Sequence, residues 1–464
     1  MQSAWPNQSI FSWLQQVLAE RFGHTFSISS TESDTLWLSY QESPVQILLS
    51  IDPISFNKAN SDLPFTTWDA TGDGWASLLD RPLPAPGAST LSSPLIEPIQ
   101  NGYRINYDIL GLTYWMLSRL EETNRTNLDT HQRFAATSSH AFKHGYLERP
   151  VVDEWLGILG QVIQKAWPNL QLKQQQSGMK VSHDVDMPSQ YGFRSPVGIA
   201  RGMVADALKR RNFKGVFLAP WIRFNSQTSL HPADPANTFN WIMDVSERYG
   251  LVSAFYFICG RTDRAKDADY EPEHPAIRAL MHDIHRRGHE IGLHPSYNSF
   301  QNPQQIQAEA QRLRRTCEEE NIRQTVWGGR MHYLRWEHPT TMRAWDAAGL
   351  TYDSTLGYAD YVGFRCGTCH EYPAYDPVEG KQLNLRIRPL IAMESTVTAP
   401  HYMGLGVGEA ALKKFQDLKE TCLAVGGCFT LLWHNSQFDS EAERELYKAV
   451  VSYKQTPLPC QSNS

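Results

Sequence analysis

Nowhere in the 464 residues is there an uncharged apolar run of the roughly 18 residues that a membrane-spanning helix needs. Positive charge is in short supply: 43 Lys and Arg stand against 49 Asp and Glu, a formal charge of −6. That balance argues against a nucleic-acid binder, which needs a basic surface to displace counterions. The 27 Pro and 30 Gly form no tract, and there is no internal repeat or low-complexity stretch, so collagen-like and coiled-coil classes are excluded. Cysteine is sparse and odd in number (Cys259, Cys317, Cys366, Cys369, Cys422, Cys428, Cys460), which reads as free thiols in a reducing compartment rather than a disulfide framework. The N-terminus, MQSAWPNQSIFSWLQQVLAERFG, has no Lys or Arg ahead of its first apolar residues and no small-residue cleavage site. This reads against a secretory leader and toward a cytoplasmic location.

What is present is a globular composition, 41% hydrophobic and 11% aromatic, enough for a full core and about two or three domains. The polar join LQLKQQQSGMK, around Gln171–Gln176, divides the chain into an N-terminal α+β accessory domain (1–175) and a second domain (176–464). Before the join, Thr35–Tyr40 and Val45–Ile51 read as strands, and Tyr107–Glu122 and Asp153–Trp167 as amphipathic helices. No catalytic constellation falls in this half.

After the join, short apolar strands alternate with helical patterns. The strands are Met179–Ser182, Leu251–Ile258, Glu290–His294, Thr325–Gly328, Leu383–Ile387 and Cys428–Trp433. The helices run from about Thr238, Pro275, Pro303, Pro339 and Glu409, four of them stopping at Gly250, Gly288, Gly349 and Gly426. Such alternation predicts an α/β fold of parallel strands joined by right-handed crossovers. Six or seven such units point to a (β/α) barrel, with an open sheet as the alternative; in a barrel, chemistry sits at the C-terminal strand ends.

Those ends carry polar residues. The first gives His183-Asp184-Val185-Asp186, whose two Asp at i and i+2 project to one side and repel unless a cation or shared proton relieves them. The third ends at His294, followed by Asn298, with His289 at the strand's other end and read as structural. His282 and His285, among Asp283, Arg286 and Arg287, read as a solvated helix face. Next come Arg330, His332, Tyr333, Arg335 and Trp336, which suit an anionic or sugar-lined cleft. Cys366-Gly-Thr-Cys369 has redox or half-zinc spacing without a second pair. The last strand ends in Leu432-Trp433-His434.

The order SHDVD, GHEIGLHPSYNS, GGRMHY, YDS and LLWHNS resembles the polysaccharide deacetylase family, the NodB-like enzymes of carbohydrate esterase family 4, over about Met179 to Phe438. The chain is also similar to the branch associated with bacterial surface-polysaccharide clusters, such as O-antigen or capsule. GLHPSY and GFRxGTC recur there, and the N-terminal region carries runs like those at Asp108–Glu122 and His144–Trp155.

The resemblance implies a distorted NodB-type (β/α) barrel. It also implies a divalent metal, Zn²⁺ foremost, and hydrolysis of an N-acetylated sugar, nucleotide- or lipid-linked, to acetate and a free amino sugar. It maps the base onto Asp184 and a metal ligand onto Asp186, or the reverse. His294 is a second ligand, and Asn298 stands where the family has a further His; His183 and His332 are additional ligand candidates. Arg330 would orient the base, the Tyr333 N–H would hold the oxyanion, and His434 would protonate the leaving amine. Leu432 and Trp433 would wall the acetyl methyl, and Arg365, in the GFRCGTC run, would touch substrate. Asn298, a weak zinc ligand, keeps two alternatives open: a metal-independent hydrolase of a non-sugar amide, and a degenerate glycan-binding barrel, which the 14 Trp would also suit.

Overall fold

The computed structural model describes residues 4–30, 35–208 and 213–452; Cys460 lies outside them. Chain order begins with a helix, Gln8–Phe22, whose N-terminus is capped by the Asn7 side chain (3.0 Å to Ile10 N) and which ends at Gly23 with φ 79°. Seven strands follow: β1 (Ser27–Ser30), β2 (Thr35–Ser39), β3 (Gln46–Ser50), β4 (Phe65–Trp68), β5 (Leu83–Pro86), β6 (Ile96–Ile99) and β7 (Gly102–Ile105). They make a five-stranded sheet in the order β1-β2-β3-β7-β6 and a separate β4-β5 pair. Helix Val151–Ala166 packs against β3, β5 and β7, and helix Ile109–Leu117 packs against that helix and the first one. β2, β3 and helix Val151–Ala166 carry clear periodicity, helix Ile109–Leu117 is buried on every side, and β1 and β4–β7 are short. The helix Gln8–Phe22 was not anticipated, although Ile10, Leu14, Val17 and Leu18 recur at helical spacing.

Nine strands follow the join: β8 (Gly178–Val185), β9 (Ser253–Ile258), β10 (Glu290–His294), β11 (Gly328–Gly329), β12 (Tyr352–Asp353), β13 (Tyr372–Asp376), β14 (Lys381–Ile387), β15 (Ala392–Met393) and β16 (Cys428–Leu432). They form one sheet in the order β13-β14-β12-β11-β10-β9-β8-β16-β15, parallel throughout except for β13, which pairs antiparallel outside β14. From β8 the chain steps one way through β9 to β12 and β14, and reaches the other flank through β16 and β15, the cyclic order of a barrel. Among the described residues, however, no hydrogen-bonded pair joins β14 to β15, so the expected barrel is not closed. β14 has no free edge to offer, because it pairs with β12 on one side and antiparallel with β13 on the other. The link between β14 and β15 bonds to both flanks: Arg388 N donates to Asp353 O (2.9 Å), Leu390 N to Leu356 O (3.1 Å) and Ile391 N to Thr430 O (3.3 Å).

The crossover helices are Phe239–Arg248, Pro275–Arg286, Pro303–Glu319, Thr340–Ala347 and Glu409–Ala424, within two residues of their expected starts. Two further helices, Pro196–Leu208 and Phe213–Asn225, interrupt the connection from β8 to β9 and were not anticipated. The polar join is pinned rather than loose: Lys173 N donates to Phe22 O (2.9 Å) and Gln175 Nε2 to Arg21 O (2.5 Å). Apolar burial is continuous across it, with Trp13, Trp115 and Trp155 in the same core as Trp345 and Trp433. Trp13 Nε1 also donates to Pro373 O (2.9 Å).

Arg365 corrects one expectation. It is buried far from any cleft, where its Nε and Nη2 donate to Glu122 Oε1 (2.9 Å) and Oε2 (2.5 Å). Arg119 Nη2 reaches the same Glu122 Oε1 (2.8 Å). Arg119 Nη2 also reaches Glu121 Oε2 (3.2 Å), so Glu122 is the carboxylate shared by both buried guanidiniums, and it ties the N-terminal half to the loop at 365. In the GFRCGTC run Cys366 and Cys369 are buried free thiols, and the six described cysteines form no disulfide; Cys369 lies beside Asp153 and His370, with donor atoms within 4.8 Å of one another.

Burial opposes ionisation of Glu122, but Arg365 and Arg119 outweigh it and hold the carboxyl at about 2. A carboxyl depressed in the folded state contributes stability that is present above its ordinary value of 4.5 and is lost as pH falls toward about 2. Glu122→Gln leaves two buried cations underneutralised and should cost about 3–5 kcal/mol at neutral pH, read as a lower urea midpoint. The gap between wild type and variant should shrink as the medium is acidified through that range.

Candidate metal centre

Strand alternation builds the first part of the site. Along β8, Ser182 and Asp184 face one side and His183 and Val185 the other, and Asp186, one residue past the strand, returns to the Asp184 side. His183 therefore points away from the carboxylates. It is fully buried, with Nδ1 2.6 Å from Trp433 O and Nε2 3.2 Å from Ser253 Oγ, and is no ligand here.

His294 ends β10, and Arg330 follows β11. The close approach of these strands requires glycine at 329, where a Cβ would stand 1.8 Å from Leu293 O. Arg330 is buried and spreads its donors over Asp184 Oδ1 (2.8 Å), Ser182 Oγ (2.8 Å), Ser354 Oγ (3.2 Å) and Ser354 O (3.0 Å), with the Tyr256 ring 5.1 Å from its guanidinium. Ser354 of the YDS run thus acts by fixing the arginine.

Asp186, His294 and His332 bring one donor atom each within 4.8 Å of one another. His294 Nε2 is 3.3 Å and His332 Nε2 3.6 Å from Asp186 Oδ1. Each imidazole has its other nitrogen committed. His294 Nδ1 lies 2.6 Å from Arg330 O, and His332 Nδ1 lies 3.2 Å from Asp267 Oδ1. Both partners can only accept, so Nδ1 carries the proton and Nε2 presents a lone pair. Two nitrogen lone pairs and a carboxylate oxygen then face one another without a donor. Asp186 Oδ1 and His294 Nε2 are buried and have no hydrogen-bond partner. Such a cluster needs a cation, either a proton or a metal ion. Burial works against protonated His294, yet Asp184 and Asp186 raise its proton affinity above the ordinary value. Two imidazoles and one carboxylate with space beyond them fit a transition-metal ion of the zinc type.

Asn298 is not part of this group. It is exposed, its Nδ2 donates to Thr262 O (3.2 Å) and its Oδ1 accepts from Arg335 (3.3 Å). The third donor comes instead from the turn after β11, as His332. Behind it stands Asp267, in a loop whose sequence, TDRAKDADY, carries no signal for that role.

His434 follows β16, with Nε2 3.7 Å from Asp186 Oδ2. Its Nδ1 meets Glu394 Oε1 at 2.5 Å. Burial disfavours the imidazolium, but Glu394 and then Asp186 and Asp184 overcome this and push His434 up to about 10. Glu394 escaped the sequence reading because it follows β15, a two-residue strand with no periodicity to detect.

These groups open into a cleft of about 540 Å³ lined by Tyr333, Tyr402, Leu432 and Met393 besides the polar residues. Tyr333 is partly exposed in it and takes a left-handed backbone, φ 61°. Arg133 from the N-terminal half also reaches the cleft and donates to Tyr333 O (2.9 Å). Leu432 lies on the cleft wall, whereas Trp433 is turned into the core and stacks on Phe438 at 5.8 Å, so it cannot wall a ligand.

A family model described as a family of unknown function (DUF7033) matches residues 7–168. No curated protein matches the chain. Among solved structures, a protein described as a polysaccharide deacetylase from Mycobacterium smegmatis is 14% identical. It covers 60% of this chain and 84% of its own at a TM-score of 0.38. Puue allantoinase is 14% identical, covering 62% and 85% at a TM-score of 0.37. A protein described as a polysaccharide deacetylase from Pseudomonas aeruginosa PAO1 is 13% identical, covering 62% and 86% at 0.36.

The donor set makes a direct prediction. Dialysed against Zn²⁺, the protein should retain one ion per chain, and His294→Ala and His332→Ala should each lower the affinity at least about tenfold. Asn298→Ala should bind as the parent does. Retention should weaken as pH falls, because protons compete for the same lone pairs.

Proposed function

We propose that this protein is a metal-dependent hydrolase of a carbon–nitrogen bond, removing the acetyl group from an N-acetylated sugar of cell-surface polysaccharide metabolism. The observation that carries the reading is the convergence of Asp186, His294 and His332, acceptors with no donor between them, beside an Arg330-held Asp184 and a Glu394-held His434. The order of motifs read from the sequence supports the choice of amide and sugar. The lost-ligand argument for a metal-free or degenerate site falls away, because His332 supplies the donor that Asn298 does not.

An ion at these ligands supplies Lewis acidity, polarising the acetyl carbonyl and making water easier to deprotonate. Asp184, hydrogen-bonded by Arg330, accepts the water proton on Oδ2. Its Oδ1 is committed to the guanidinium, so the basic oxygen is the one 3.7 Å from His294. His434 carries its proton on the opposite side of Asp186 and delivers it from Nε2 to the departing amine, which cannot leave as an anion. Glu394 holds the Nδ1 proton, sets which nitrogen faces the cleft and favours the imidazolium. The Tyr333 N–H supplies the oxyanion contact; the Arg133 bond to Tyr333 O holds that turn. Tyr333 and Tyr402 offer ring faces to a pyranose, and Leu432 offers an apolar wall to the methyl. The sugar is carried on a nucleotide or lipid.

The test is acetate release from N-acetylated sugars carried on a nucleotide and on a lipid. Release should occur with Zn²⁺ and stop with a chelator; absence of release under any divalent ion would remove the proposal. Asp184→Asn should lower kcat by about 10²–10⁴-fold. Glu394→Gln should lower kcat by about 10–10²-fold with little change in KM, since Glu394 acts through His434 rather than on substrate.

A further inference from the structure

We infer that the helical hairpin of Pro196–Leu208 and Phe213–Asn225 is a membrane-surface docking element that takes an anionic phospholipid bilayer as its partner. Seven of the fourteen large apolar side chains exposed among the described residues fall in this one segment. They are ordered. Val197, Val204 and Leu208 recur at i, i+7 and i+11 on the first helix, and Phe217, Trp221 and Phe224 at i, i+4 and i+7 on the second, so each helix shows solvent a single apolar stripe. The opposite faces are already used: Ile199, Ala219 and Ile222 are buried with Tyr191 in a small core separate from the main one. The outward stripes are therefore surplus to folding, and Phe217 and Phe224 are 81% and 77% exposed.

Charge selects the occupant. In the sequence, residues 196–225 hold six Lys or Arg and one Asp, which leaves 37 basic and 48 acidic residues in the remainder of the chain. This part of the sequence thus carries +5 against −11 for the remainder, so two copies meeting hairpin to hairpin would repel, whereas an anionic lipid surface would attract it. Beside the hairpin, a depression of about 490 Å³ is lined by Arg194, Arg201 and Arg261, with Asp269 as its acid, 3.7 Å from Arg261. Guanidiniums next to Trp and Phe stripes match lipid phosphates above an acyl layer. Each helix has 13 residues, about 20 Å, too short to cross the roughly 30 Å hydrocarbon core, so the hairpin lies on the membrane rather than through it. It leaves the sheet ten residues after Asp186, so docking would set the cleft near the lipid surface.

The test is co-sedimentation of the full-length protein with vesicles of phosphatidylcholine alone and of phosphatidylcholine mixed with phosphatidylglycerol. Binding is expected only to the anionic vesicles and should be lost in high salt. The combined variant Phe217→Ser, Trp221→Ser, Phe224→Ser and the combined variant Arg194→Glu, Arg201→Glu should each bind at least about tenfold more weakly. An unchanged circular-dichroism spectrum and Tm show that each is folded; if the aromatic variant is not, the arginine pair carries the test. Failure of the parent to bind anionic vesicles overturns the inference, as does full binding by a folded variant. So does a dimer that the aromatic variant dissociates while vesicle binding is absent. None of these readouts requires catalytic activity, so they stand or fall independently of acetate release.

Discussion

The site depends on three electron pairs forced together. Asp186, His294 and His332 each turn an acceptor toward the others, and the backbone carbonyl of Arg330 and the carboxylate of Asp267 prevent either imidazole from turning a proton inward. In water such a cluster would fly apart or protonate. Here strand ends and buried hydrogen bonds hold it, and the repulsion becomes affinity for a cation. The surrounding charges follow from this. Arg330 neutralises Asp184, the carboxylate left outside the cluster, while Glu394 keeps His434 cationic close to Asp186.

The N-terminal half takes part in this arrangement through contact rather than chemistry. The Glu122 carboxylate between Arg119 and Arg365 fixes it to the loop at 365. Its 129–136 segment then grips the cleft wall. His131 Nδ1 lies 2.9 Å from Tyr297 Oη, Arg335 Nε donates to His131 O (2.8 Å), and Ala136 N donates to Asp360 Oδ1 (3.1 Å). With Arg133 on Tyr333 O, these bonds hold a turn in which two consecutive residues, Tyr333 and Leu334, take positive φ. Backbone of that kind persists only where its surroundings over-determine it. The N-terminal half therefore contributes rigidity to a turn on the cleft wall that belongs to the other half of the chain.

Two kinds of surface result. The one at the C-terminal ends of the parallel strands gathers polar groups and leaves buried acceptors, Asp186 Oδ1 and His294 Nε2, without a donor. The one on the hairpin between β8 and β9 exposes Phe217, Trp221 and Phe224. The first calls for a cation and the second for an apolar cover.

Local pattern alone determined much of this protein. Apolar runs bounded by Pro and Gly marked the crossover helices, the i, i+2 spacing of Asp184 and Asp186 set them on one side of β8, and the order of motifs placed His294, Arg330 and His434 at neighbouring strand ends. Each helix end and the Asp184–Asp186 pair is written within a few residues, where side-chain periodicity is dictated by backbone geometry, and each motif sits within a few residues of its own strand end. Tertiary structure decided the rest, because it depends on which strands lie side by side. His332 rather than Asn298 completes the donor set, since β11 passes within a glycine's clearance of β10. Glu394 reaches His434 from a two-residue strand with no sequence signature. Arg365 turns into the interior because Glu122, 243 residues away, is waiting there, and the seam between β14 and β15 stays open because β13 takes the second edge of β14. No local pattern encodes a contact whose two sides are separated by dozens or hundreds of residues.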